Sequence, residues 1–209
     1  YEGLGSIYWH MVSKLLLAVQ ETIFAADQSG DEARTALIDV YYDIRAGLGF
    51  NKTPDVYGAF PTDPYSHTPG GQGAKQPGMT GMVKEEVLTR IGEVGLVIKQ
   101  GQITFNPVLL RAEEWLSTPS ALRYFDVAGQ EASINVPANA LAYTFCQVPV
   151  IVYAADEARI DVTLHDGSIQ TITGHSLGPE LSSRIFLRDG AVRQITVFIN
   201  TSIVSKRLT

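Results

Sequence analysis

The hydrophobic period of this chain changes once, and the change sets its class. Up to about Val94 the apolar residues recur at helical spacing, and from Leu96 they alternate. Helices followed by a run of strands read as an α+β protein in two stretches, 1–95 and 96–209. In the first stretch, Ile7 to Ala26 is apolar all round, which predicts a helix buried on nearly every side. Ser29-Gly-Asp-Glu32 is a capping-box pattern opening a second, amphipathic helix that Gly47 and Gly49 end. A third helix is expected from about Thr80 to Val94. Val83, Val87, Leu88 and Ile91 share one face, leaving Lys84, Glu85, Glu86 and Arg90 as its solvated side.

In the second stretch, LVIKQGQITFNP predicts two short strands around Gln100-Gly101. Leu110 to Pro119 reads as a short helix, and Ala140 to Tyr153 as a strand pair broken at Pro149. Arg159 to Leu164 and Ser168 to Thr173 flank Asp166-Gly167, the strongest hairpin signal in the chain. Arg184 to Leu187, Asp189-Gly190 and Val192 to Ile199 repeat the device. The expectation is an antiparallel, two-layer, jelly-roll-like β-sandwich.

Between the second and third helices lies Asn51 to Gly78, a stretch with neither period. A connection this long is uncommon in a compact domain unless it binds something. Its five prolines and five glycines fix the path, and Tyr57, Phe60, Asp63, Tyr65 and His67 offer side chains suited to polar, ring-shaped ligands. It ends at Thr80-Gly81, where the free N–H groups of a helix start can receive an anion; the commoner role of a threonine there is simple capping.

Composition excludes several classes. With 45% hydrophobic and 18% charged residues in 209, the chain has ample material for a core. A net charge of -6 with scattered basic residues argues against a nucleic-acid surface. The single Cys146 sits in an apolar run, so cysteine builds neither a disulfide framework nor a metal cage, and it reads as a small buried hydrophobe. The longest apolar helical run, LLLAV, is too short to span a bilayer, so a cytoplasmic protein without cofactor or metal is expected. The chain opens at Tyr1 inside ordered-looking sequence, and too few helices surround Ile7 to Ala26 to cover it; both features predict a piece of something longer. No GxSxG elbow, HExxH helix, P-loop or dinucleotide fingerprint occurs.

The order of landmarks in residues 1–110 resembles the C-terminal end of the (α/α)6 barrel in the inverting disaccharide phosphorylases, the group of the cellobiose, chitobiose and β-1,2-oligoglucan enzymes. GSIYWHMVSK resembles that family's histidine-bearing barrel helix. ALIDVYYDIRAGLGFNKTPDVYGAFPTDPYSHTP resembles its outer helix and long loop, with Asp63-Pro64-Tyr65 as the acidic-Pro-Tyr element. PGMTGMVKEEVLTRIGEVGLVIKQGQITFNP resembles its Thr-Gly helix entrance, last barrel helix and step into the C-terminal sheet domain. The resemblance implies terminal barrel helices over 1–95 and a sheet domain over 96–209. It also implies phosphate contacts from His10, Thr80 and Gly81, with sugar contacts from Asp63, Tyr65, Tyr57 and Phe60. Without it, a lone histidine in an apolar helix is by default a satisfied core residue. The chain departs from the family in Met79, where an aromatic residue is usual, and in Asp63, where glutamate is usual.

The family's general acid is an aspartate upstream of anything present here, so no catalytic residue is expected in this chain. The implied partners are a β-linked glucan oligosaccharide, inorganic phosphate as co-substrate and the upstream remainder of the same enzyme, with homodimerisation left open. Two alternatives stand beside this reading: an inverting hydrolase on the same barrel, and a non-catalytic carbohydrate-binding or assembly module. His165, beside a turn, and His175, in a connection, read as exposed and idle.

Overall fold

A computed structural model describes residues 2–26, 31–48 and 83–200, with side chains from 11, 32 and 84 onward in the three stretches. The chain is α+β and divides into two compact units, Tyr1–Gly92 and Glu93–Thr209.

The first unit holds helices α1 (Glu2–Ala25), α2 (Asp31–Gly47) and α3, Val83–Glu93, whose last residue crosses the division. α1 is not buried all round. Its described side chains bury one stripe, Ser13, Leu16, Gln20 and Ile23, while Met11 is 64% and Leu15 52% exposed. α2 answers with Ile38, Tyr41 and Arg45, and Leu48 follows just past its end. Both stripes step by three, four and three residues, the spacing that keeps one side of a helix facing a neighbour.

The third helix corrects the sequence reading, because its charged side is the covered one. Glu85 and Thr89 are buried, and Val87 and Leu88 are about half exposed. Gln20 explains the inversion: its Nε2 donates to the Thr89 carbonyl at 2.8 Å and to the Tyr41 hydroxyl at 3.4 Å. Gly92 has no room for a side chain, since a Cβ there would sit 2.5 Å from the Gln20 amide. Beside this contact Arg45 donates both terminal nitrogens to Glu86, at 2.5 and 2.7 Å, in a fork matched to the carboxylate.

The second unit begins after Gly95, whose φ of 82° favours glycine and where a Cβ would come within 3.0 to 3.1 Å of the Asn106-Pro107 backbone. Strands β1 (Leu96–Lys99) and β2 (Gln102–Phe105) then pair about Gln100-Gly101, both at positive φ as a two-residue hairpin turn requires. The expected helix over 110–119 reduces to one 3-10 turn, Ala112–Glu114. β3 (Ser120–Phe125) and β4 (Glu131–Val136) form a second hairpin. The rest is one five-stranded sheet built from β5 (Ala140–Phe145), β6 (Val148–Ala155), β7 (Arg159–Leu164), β8 (Ile169–Thr173) and β9 (Val192–Asn200), in the order β5-β6-β9-β7-β8.

This sheet corrects the sandwich expectation twice. β9 runs parallel to β6, so the sheet is mixed. Residues 179–187 form a helix, α4 (Pro179–Leu187), where a strand was expected. Proline in its first turn suits a helix start, and Arg188 closes it in the left-handed conformation at φ 54°. α4 buries Ser182 and Ile185. Ser182 Oγ accepts from the Ile103 N–H at 3.0 Å and donates to the Leu177 carbonyl at 3.3 Å, which ties the helix to β2. Helix and hairpin thus stand beside the sheet in place of a second large sheet.

The registers pair Val150 with Ile195, Val152 with Val197, Ile160 with Val197 and Val162 with Ile195. All of these residues are buried, so one face of the three inner strands is continuously apolar. On the opposite face, Ala140, Ala142, Ile151 and Tyr153 pack with Leu122, Ile134 and Val136 of the β3–β4 hairpin.

Pro149 does not break its strand. It pairs with Thr144 one step from a two-residue turn, a non-hydrogen-bonded position whose missing N–H faces β9, and the β9 ladder starts only at Val150. The β7–β8 hairpin occurs where the sequence placed it, with a different turn. Gly167 alone is at positive φ, and its N–H donates to the Leu164 carbonyl, giving a three-residue connection. Among the described residues, no helix is long and apolar enough to cross a membrane.

Candidate functional site

The structure places His10 within α1, and its side chain lies outside the described residues. Tyr57, Phe60, Asp63, Tyr65, Thr80 and Gly81 all lie outside them, as do His67 and the whole loop from Asn51 to Gly78. What the described residues do bring together is a cleft at one end of the sheet unit.

Three turns converge on that cleft. In the first, Asp126 Oδ1 accepts the N–H groups of Ala128 and Gln130 at 2.9 Å each, winding β3 into β4. In the second, Cys146 and Gln147 join β5 to β6 at φ 48° and 67°, a two-residue turn made without glycine or asparagine. Left-handed backbone at two such residues costs on the order of 1 kcal/mol or more at each. Offsetting it, Gln147 Nε2 donates to the Asp126 carbonyl at 2.8 Å and locks the two turns together. Cys146, expected in the core, is therefore a half-buried free thiol at a turn.

The third element comes from β7 and β9. The register shift at Thr163/Leu164, where Gln194 pairs with Thr163 and Val192 with Leu164, leaves Arg193 as an extra residue of β9, and the His165 N–H donates to the Ala191 carbonyl at 2.9 Å. The cleft encloses about 590 Å³, with Tyr124, Gln147, His165 and Arg193 as polar lining and Val127, Pro149 and Val192 as apolar lining. Among the described residues, neither the His165 ring nor the Arg193 guanidinium has a hydrogen-bond or ion-pair partner.

Near the cleft, the Asp166 carboxyl is held below the usual carboxylate range, chiefly by the Ser168 hydroxyl donating to it at 2.6 Å, then by the Ser168 N–H and, last, by His165. Elsewhere in the unit, burial pushes the Tyr143 phenol up, and its hydroxyl has no partner among the described residues. A second, more open groove of about 560 Å³ runs past Ser120, Asn135, Pro137 and Tyr153. Beyond it Tyr153 stacks on Phe198 with ring centres 5.5 Å apart, and Arg159 covers Phe198 at 3.9 Å.

Sequence reasoning missed Tyr124, Gln147 and Arg193, and it set His165 aside as idle. The four come from separate strands and turns 124–193, so no local spacing marks them. The one available signal was the pair Cys146-Gln147, which joins two apolar runs with no residue suited to a turn. Among the described residues, no cluster of three His, Cys, Asp or Glu side chains could hold a metal ion. No protein-family model matches the chain, and no curated protein matches it.

Proposed function

We propose that this chain is the C-terminal part of an inverting glycoside phosphorylase acting on β-linked glucans, with the β-1,2-oligoglucan enzymes as the nearest pattern. The observation that carries the proposal is the junction from α3 into the sheet unit. Helix, glycine, strand, glycine, strand and proline follow in order over Val83 to Pro107, with Gly95 at a left-handed position where a side chain would crowd the Asn106-Pro107 backbone. These are the residues on which the resemblance is most specific. The helical unit gives independent support, because its helices meet through polar groups and leave Met11, Leu15, Val40, Val87 and Leu88 exposed. Such apolar outer sides suit helices that belong to a larger ring of helices.

In this reading a phosphate oxygen attacks the anomeric carbon from the face opposite the leaving group. The glycosidic C–O bond breaks, and an aspartate contributed upstream gives its proton to the departing oxygen. His10, Thr80 and the Gly81 N–H hold the phosphate, while Tyr57, Phe60, Asp63 and Tyr65 line the sugar sites. Inversion at a β-linkage yields an α-glycosyl phosphate. The enzyme is placed in the cytoplasm, where phosphate is abundant.

The test is an assay of the intact enzyme on β-linked glucooligosaccharides with and without phosphate. Phosphate-dependent release of α-glucose 1-phosphate is expected. His10→Ala and Thr80→Ala should each raise the KM for phosphate about tenfold or more while leaving that for glycan nearly unchanged. Cleavage to free sugar without phosphate would replace phosphorolysis by hydrolysis on the same barrel. Glycan binding with no cleavage would make the chain part of a non-catalytic module.

A further inference from the structure

The cleft at the turn end of the sheet unit is independent of the phosphorylase reading, and it gathers an arginine, a histidine and a tyrosine around an apolar lining. Arg193 offers a planar fork of donors that no carboxylate of the described residues occupies. His165 offers a ring N–H, Tyr124 a hydroxyl, and Gln147 is fixed in place by its bond to Asp126. Asp126 also lines the cleft, but the backbone of its own turn engages its Oδ1. Its Oδ2 and the Gln147 carbonyl oxygen are the acceptors the lining leaves, beside the Arg193 guanidinium.

The volume of about 590 Å³ lies within the range of small-molecule sites. Its Val127, Pro149 and Val192 lining suits the body of a small ring. The surrounding backbone is also arranged at some expense: two side-chain-bearing residues are held left-handed to place Gln147, and β9 carries Arg193 as an extra residue in its pairing with β7.

We propose that this cleft binds a small organic oxyanion, a carboxylate or phosphate monoester carried on a single ring. Arg193 grips the anionic group, His165 and Tyr124 donate to it, and the ring rests against the apolar lining.

The experiment is a titration of the 209-residue chain, followed by amide NMR, with benzoate, glucose 1-phosphate and glucose as separate probes. At least one acid should shift the amides of Ala128, Gln147, His165 and Arg193 at millimolar concentration, while glucose leaves them unmoved. Which acid binds decides whether the site takes carboxylate or phosphate. Arg193→Gln should weaken that binding about tenfold or more, with Arg193→Lys recovering part of it. Arg193 is exposed, so neither change threatens the fold. Unmoved amides with both acids, binding unchanged in Arg193→Gln, or equal binding of glucose would each overturn the proposal.

Discussion

The two units solve the burial problem in different ways. In the sheet unit the apolar side chains go in, as ten buried valines and isoleucines of β6, β7 and β9 show. In the helical unit Leu16, Ile23, Ile38 and Leu48 are buried too, but an amide, a phenol and an arginine–glutamate fork share the contacts, while Met11, Leu15, Val40, Val87 and Leu88 lie exposed. Hydrophobicity alone locates the core of the first kind of unit. For α3 it points the helix the wrong way, because the hydrogen bonds of Gln20 and Arg45 fix which side is covered.

The largest effect that could break this contrast is Val197→Asp, which puts a carboxylate into a site 1% exposed at the centre of the sheet. It should cost about 4 kcal/mol or more and remove hydrogen-exchange protection from β6, β7 and β9 while sparing α1 and α2. Loss of protection in both units together would show that they do not fold separately.

Next in size is Arg45→Met. Breaking a buried ion pair costs roughly 3–5 kcal/mol, and the partial exposure of Glu86 lowers that to about 2–3 kcal/mol here. Adding Glu86→Leu should restore most of the loss, read as recovered exchange protection in α2 and α3. If the single change alone is harmless, the polar contact is incidental and the contrast between the units weakens.

The smallest effect concerns charge in the sheet unit, which acts locally. Ser168→Ala should return the Asp166 pKa toward its ordinary value, followed by carboxyl NMR, with little change in stability. The sign follows from the direction of the shift. A carboxyl whose pKa is lowered by folding adds stability above its unfolded pKa and loses it as pH falls through the lower, folded value. The wild type therefore keeps this contribution in mildly acidic solution and sheds it only below the ordinary aspartate range, whereas the variant, left with the Ser168 N–H, has less to lose.

The features legible in the sequence are the local ones. The period change at Leu96 and the hairpins at Gln100-Gly101 and Asp166-Gly167 depend on residues a few positions apart, and they appear where expected. α4 was hidden because Arg184-Ile-Phe-Leu is too short a run to distinguish helix from strand, and the deciding evidence, Pro179 and the cap at Arg188, lies at its ends. The parallel pairing of β6 and β9 joins strands separated by a hairpin and a helix, so no window of sequence contains it. The cleft around Arg193 was illegible for the same reason. Of the site the sequence did propose, His10 is placed on a helix, and the other residues fall outside the described part of the chain.

The position of β9 also governs when the sheet can be completed. It is the last described strand in chain order, yet it lies in the middle, between β6 and β7. During synthesis every earlier strand emerges before the one that joins them. Until Val192–Asn200 arrives, β6 and β7 each present an unpaired, apolar edge, the kind of surface that recruits another chain. The interval between making β8 and making β9, spanned by α4, is therefore when this protein is most exposed to misassembly, and a ribosomal pause or a chaperone would matter most there.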